Sequence, residues 1–264
     1  MATENAPATT GGGFGATNRT DKWWVAPLAT ALGLGAFGVY STIRAFANAD
    51  FLAEEGTHLL SPFYSPHIVL PAKWAWISPA FLILWAPGGF RLTCYYYRKA
   101  YYRAFFLDPP ACAVGEPRNQ YEGETRLFLF QNLHRFFLYL ALIFIVLLSK
   151  DVVLACIWTT DSAGNAIAGH TFGISVGTLV LALCTTLLGL YTFSCHSLRH
   201  LIGGNVDCYS CVAFGNMRYK AWKGVSVLNK KHMLWAWLSL FMVGFADFYV
   251  FLVASNRIED LRIF

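Results

Sequence analysis

The sequence predicts an all-α fold: an integral membrane bundle of five transmembrane helices with a cytoplasmic N-terminus. Three observations carry that prediction. The 264-residue chain is 56% hydrophobic and only 13% charged, about half the roughly 25% of charged residues usual in soluble domains. Its apolar residues gather into runs close to the ~20 residues that cross a bilayer as a helix. Its basic residues fall unevenly between the segments joining those runs, the usual mark of membrane orientation.

Residues 1–22 open with "MATENAPATTGGGFGATNRT". This stretch is too small and polar to bury apolar surface, so it is expected to be a disordered tail. It also lacks the charged-then-apolar layout of a signal peptide. Residues 23–264 are expected to form one anchor domain, with no internal repeat or long linker. The first run, 23–43, carries no charge. The second, 74–90, is shorter and continues through "GFRLTCYYYRKAYYRAFFLDPP", where aromatic and basic residues suit the membrane interface. Asp108-Pro109-Pro110 should end it, because the residue before a proline avoids the helical region. The third run is 136–149. The fourth, 171–195, should stop at Gly203-Gly204, glycine being the usual C-terminal stop. The fifth, 233–256, contains one acid, Asp247.

Fourteen Lys and Arg lie in the tail and in segments 91–126 and 199–231, against five on the opposite side. The fourteen-residue side is therefore expected to face the cytoplasm, leaving the C-terminus outside. The net charge of +5 then describes a basic inner face. It can attract lipid headgroups, or dock a soluble partner. Nothing in the pattern points to nucleic acid.

This topology sorts the residues able to bind metal. Cys94, Cys112, Cys195, Cys208, Cys211, His134, His196, His200 and His232 gather toward the inner side. His58, His67 and His170 fall in outer loops. Cys156 and Cys184 sit in apolar stretches, where cysteine behaves as a small hydrophobe. A cytoplasmic location disfavours structural disulfides, so the inner thiols are expected to be free or ligating. The densest stretch is "SCHSLRHLIGGNVDCYSC", residues 194–211. There His196 and His200 share a helix face, and Cys208 and Cys211 have the spacing that lets two thiolates reach one ion. Such a set suits a structural zinc, a Rieske-type [2Fe–2S] centre, or, through histidines alone, haem b. The plain alternative is unmetallated thiols and hydrogen-bonded histidines. Buried histidines on one side only argue against two haems. His134-Arg135 and Asp247, as ionisable groups inside apolar runs, are functional suspects; Asp247 serves equally well as a helix–helix contact.

Four stretches, "RLTCYYYRKAYYRAFFLDPPACAV", "QNLHRFFLYLALIF", "CHSLRHLIGG" and "HMLWAWLSLFMVGFADFYV", taken in order, resemble the cytochrome-b-like membrane-anchor subunit of bacterial succinate dehydrogenase (succinate:quinone oxidoreductase). The resemblance runs from Trp23 onward. It implies a multi-pass protein of the bacterial inner membrane, part of an electron-transport complex of the respiratory chain and tricarboxylic acid cycle. It implies an iron–sulfur subunit and a flavoprotein as partners, with a second small membrane subunit as an option. It places succinate oxidation on the flavoprotein, not on this chain. It also implies a bound quinone, menaquinone or ubiquinone, with Arg98, His134, Arg135, His232 and Trp235 as candidate contacts. Because the cysteines exceed what a haem needs, the preferred cofactor is a Rieske-like [2Fe–2S] centre on His196, His200, Cys208 and Cys211. Cys195, His134, His232 and Cys94 are substitute ligands. A mono-haem b anchor and a zinc-stabilised non-redox scaffold are the alternatives. A transporter is disfavoured by the absence of a repeat and the scarcity of buried charge.

Overall fold

Backbone amides have no water to bond in a bilayer, so an apolar run must satisfy them internally as a helix. A computed structural model of the chain describes residues 13–54, 56–74, 76–107, 109–116, 128–160 and 166–264. The first run forms α1 (Val25–Ala47), closed by Asn48 in the left-handed conformation at φ 46°. Two-residue strands β1 (Leu52–Ala53) and β2 (Leu59–Leu60) pair antiparallel, Leu52 opposite Leu60. A 3-10 turn over Pro62–Tyr64 follows, all three residues buried.

The second run departs from expectation. It starts as α2 (Pro79–Thr93), with the Ser78 side chain accepting from the Ala80 amide and Pro79 at the first helical position, both standard helix starts. It holds Pro87 and stops at Cys94, whose backbone is extended (φ −64°, ψ 129°). The chain restarts as α3 (Tyr95–Tyr101) and a π-helical turn at Tyr102–Phe106. Alone, α2 is about 22 Å long at 1.5 Å per residue, short of the ~30 Å hydrocarbon core.

The third run is α4 (Phe128–Ala155). Strands β3 (Ile157–Thr160) and β4 (Ala166–Phe172) form a hairpin, Ile157 opposite Phe172. Ser175 and Thr178 make a reciprocal capping box at the start of α5 (Val176–Phe193), satisfying amides the first turn leaves free. A second one-residue break follows at Cys195 (φ −63°, ψ 139°), before α6 (His196–Arg199) and a π-helical turn at His200–Gly204. A 3-10 turn at Tyr209–Cys211 leads to α7 (Gly215–Asn229) and then α8 (His232–Ala254).

Among the described residues four helices are long and apolar enough to cross a membrane: α1, α4 from Asn132, α5 and α8. The architecture is a mainly helical multi-pass bundle, with two short antiparallel pairs added at one end. Asp108, Arg118 and Arg126 lie outside the described residues, as does 1–12 of the expected disordered tail. The next part of that tail is tied down: Gly15 and Ala16 exchange backbone hydrogen bonds with Gly115, and Thr17 and Arg19 donate to the carbonyls of Ala113 and Cys112 at 2.7 and 2.8 Å.

In lipid, helices associate through close packing rather than water release. The main packing pairs are α5 with α8, α2 with α4, and α4 with α5. The α8 side facing them is small, with Ala236, Ser239 and Ala246 fully buried. Gly89 of α2 lies against the Phe137 ring of α4, where any side chain would collide. Large apolar residues such as Leu32, Val39 and Phe46 on α1 and Phe241 and Phe245 on α8 stay exposed, as a lipid-facing surface requires.

Two buried cores result. One, at the end carrying the strands, gathers Leu59, Leu60, Phe63, Tyr64, Leu181 and Val250. Here Arg44 and Asp247 form a buried ion pair at 2.8 Å. The other, at the end carrying α3, α6 and α7, gathers Phe90, Cys94, Tyr97, Leu138, Tyr191 and Cys195. Most of the chain's basic residues belong to this second, basic end.

Candidate functional site

The two backbone breaks place two cysteines in the core of the basic end. Cys94 is 3% exposed and Cys195 is 1% exposed. A residue in extended conformation between two helices turns its side chain out of the helical rows, here toward the bundle axis. Each cysteine meets one histidine from another helix. The His134 Nε2 lies 3.0 Å from Cys195 Sγ, and the His232 Nε2 lies 3.5 Å from Cys94 Sγ.

The residues before the cysteines hold the histidines from the far side. Thr93 Oγ1 is 2.9 Å from His134 Nδ1, and Ser194 Oγ is 2.7 Å from His232 Nδ1. One turn earlier, Phe90 stacks on the His134 ring (4.6 Å, 5°) and Tyr191 on the His232 ring (5.1 Å, 19°). Phe90 and Tyr191 meet edge to face at 5.4 Å. Each half of the bundle thus orients its own histidine and aims it at the cysteine of the other half. The sequence carries the signal in "FRLTC" (90–94) and "YTFSC" (191–195), a five-residue pattern of aromatic, two spacers, hydroxyl and cysteine. It is too short to register as a repeat, and Phe90, Thr93, Tyr191 and Ser194 were not singled out.

Arg91 is the other residue not foreseen. Its guanidinium bonds to the Tyr97 hydroxyl, and donates to Ser239 Oγ at 3.0 Å and the Ala236 carbonyl at 3.3 Å. It stands over the Tyr191 ring at 4.7 Å and the Tyr97 ring at 5.4 Å. No carboxylate pairs with it among the described residues. It borders two apolar cavities. One, of about 500 Å³, is lined by Phe37, Leu92, Tyr97, Tyr101 and Leu240. The other, of about 180 Å³, is lined by Phe63, Phe90, Ile145 and Tyr191.

The remaining expected contacts are scattered. Arg98 is buried, its guanidinium 5.2 Å from the centre of the Tyr95 ring. Arg135 follows His134 by one position, which on a helix turns it to another face. It is exposed and lies over Phe136 at 5.3 Å. Trp235 is half-buried, and its indole N–H is buried with no hydrogen-bond partner among the described residues.

The four preferred metal ligands are not brought together. His196 and His200 are exposed on α6 and the turn after it. Cys208 and Cys211 are joined in a disulfide, against the expectation of free thiols. The turn at Tyr209–Cys211 sets their Cα atoms 5.4 Å apart, inside the range a disulfide spans. What comes together is the substitute set: Cys94, His134, Cys195 and His232.

Chemically, that set is selective. Among the described residues no three His, Cys, Asp or Glu side chains converge on one point closely enough to hold a single ion. A structural zinc, which needs four ligands on one ion, does not fit. A Rieske-type centre asks for less at each iron, two cysteines on one and two histidines on the other. The Tyr191 hydroxyl is buried beside Cys94.

Known proteins were then compared. The family model "Actinobacterial succinate dehydrogenase subunit SdhC" matches residues 25–256. A chain of the Mycobacterium smegmatis Sdh1 complex, solved in the apo form, is 42% identical, with a TM-score of 0.80 over 94% of each chain. No curated protein sequence matches.

Proposed function

The chain belongs to the family of actinobacterial succinate dehydrogenase subunit SdhC, and on that premise we propose that it passes electrons to a quinone held inside the bundle, through a mixed cysteine–histidine centre at its basic end. The observation that carries this is the crossed pairing of Cys94 with His232 and Cys195 with His134. Two buried thiols, one buried and one half-buried imidazole, held from four chain segments, match the ligand set of a Rieske-like [2Fe–2S] centre. These four residues would hold it in place of His196, His200, Cys208 and Cys211. When bound, it supplies one-electron oxidation and reduction.

The chain's own residues do the rest. Stacking on Phe90 and Tyr191 fixes the planes of the two imidazoles and keeps water out. Arg91 faces the larger apolar cavity beside Tyr97, whose own hydrogen goes to the Ala236 carbonyl at 2.6 Å, so a quinone ring there would find the guanidinium as donor for a carbonyl oxygen. A charge-assisted donor strengthens as negative charge builds on that oxygen. Of the expected contacts, His134 and His232 belong to this centre, and Trp235 packs against the same core.

The basic end faces the cytoplasm in this reading, where an iron–sulfur subunit bearing a flavoprotein docks and delivers electrons. The broken pair α2–α3 forms the fifth span. Its break at Cys94 is what brings a thiol to the centre.

The test is the iron, acid-labile sulfide, zinc and haem content of the purified complex, with electron paramagnetic resonance (EPR) after dithionite reduction. A Rieske-like signal in the wild type, lost in Cys94→Ser and in Cys195→Ser and kept in Cys208→Ser, is the expected result. Stoichiometric zinc without that signal, or reduced-minus-oxidised bands of b-type haem, overturns the proposal.

A further inference from the structure

The single hydrogen on each of two buried hydroxyls decides which way the site histidines face. A hydroxyl has one hydrogen to donate and lone pairs to accept with. Thr93 Oγ1 donates to the Gly89 carbonyl at 2.7 Å, the bond back to its own helix common for buried Thr and Ser. Ser194 Oγ donates to the Tyr191 carbonyl at 2.9 Å. With those hydrogens used, the contacts to His134 Nδ1 and His232 Nδ1 at 2.9 and 2.7 Å form only if the imidazoles donate. Each Nδ1 then carries the ring hydrogen. Each Nε2 keeps its lone pair, pointed at the cysteine of the other half.

We propose that Thr93 and Ser194 are positioning residues that lock both site histidines in the Nδ1–H tautomer, so that two imidazole lone pairs and two thiols face one another across the centre of the bundle. The lock is built twice, from "FRLTC" and "YTFSC", and its two copies are crossed. Neither half completes a Cys–His pair alone, so the pairs assemble only when α2–α4 docks on α5–α8. This rests on the reading of the site given above only where metal is concerned. The tautomer itself does not depend on metal.

The experiment uses the whole purified complex carrying ¹⁵N-labelled histidine, with Thr93→Val, Ser194→Ala and the conservative Thr93→Ser and Ser194→Thr. In the wild type, solid-state ¹⁵N spectra are expected to show two histidines with protonated Nδ1 and unprotonated Nε2. Thr93→Val and Ser194→Ala should each remove one of these signals, and the conservative variants should restore it. Supporting groups behind metal ligands typically change metal affinity 10–100-fold. Iron lost to a chelator should therefore rise roughly 10–100-fold in the first pair of variants and stay near wild type in the second. Protonated Nε2 on both histidines, or unchanged ¹⁵N spectra in Thr93→Val and Ser194→Ala alike, overturns the lock. An iron-free wild type with the expected tautomers overturns the cofactor reading and leaves the lock standing.

Discussion

The two ends of the bundle each bury a polar cluster, and they differ in whether that cluster is closed. At the strand end, the Asp247 carboxylate takes hydrogen bonds from Tyr40 at 2.5 Å, Ser61 at 2.5 Å and Arg44 Nε at 2.8 Å. The other Arg44 nitrogens donate to the carbonyls of Ala49 and Asp50, each at 3.2 Å. The Tyr64 hydroxyl donates to the Arg44 carbonyl, and Phe251 lies under the guanidinium at 4.6 Å. Every polar group of this Asp247–Arg44 cluster has partners. At the basic end, among the described residues, a cation stands among aromatic rings without a carboxylate, and an indole N–H is buried without a hydrogen bond. A satisfied buried network rigidifies a fold, whereas an unsatisfied one costs stability unless something else completes it. Of the ionisable suspects, Asp247 therefore sits in a closed network, whereas His134 borders an open one.

The largest effect should come from breaking the closed network. Asp247→Ala strands a buried arginine, a change that costs about 3–5 kcal/mol, read as a lower melting temperature of the solubilised complex. Arg44→Met with Asp247→Leu should recover most of it, since replacing both partners by apolar groups is often neutral. If Asp247→Ala melts like the wild type but abolishes quinone reduction, the assignment of the two ends is reversed. Next comes the open network. Arg91→Gln removes a charged donor worth about 1.5–3 kcal/mol, which is roughly 10–100-fold in kcat/KM for quinone. Steady-state kinetics with a short-chain quinone measures it. Cys195→Ser should cost stability only about 0.5–1.5 kcal/mol, the value of one hydrogen bond, while removing the EPR signal of the centre. A cooperative loss of fold in that variant would make Cys195 structural and erase the contrast. Smallest of all, His196→Ala and His200→Ala are exposed changes expected within about 0.5 kcal/mol of the wild type, with unchanged iron content. Loss of iron in either would return the ligand role to His196 and His200.

Why His196, His200, Cys208 and Cys211 do not meet follows from geometry. His196 and His200 share one face of a short helical piece, as their spacing of four requires, but nothing in that spacing says which face meets the core. The buried face presents Leu198 instead. The CxxC is local, so its two thiols meet each other first. The residues that do converge are separated by 38 to 61 positions in the three close contacts and by 138 in the fourth. No local pattern encodes such distances. Still, His134, His232, Cys94 and Cys195 were recognisable as ligand-type residues at one depth, because run lengths and charge alone place them near the same end of the helices.

What the sequence by itself determined is the membrane bundle, its basic end, and the short list of groups able to do chemistry. Those follow from apolar run length, charge asymmetry and residue type, which are local and additive. The tertiary structure alone decided that the second run breaks at Cys94, that Asp247 is saturated, and that each histidine reaches the opposite half's cysteine. Those are outcomes of packing, set by which helix faces meet and where a one-residue extended break turns a side chain inward. A site made of one residue from each of four segments exists only after the segments have docked.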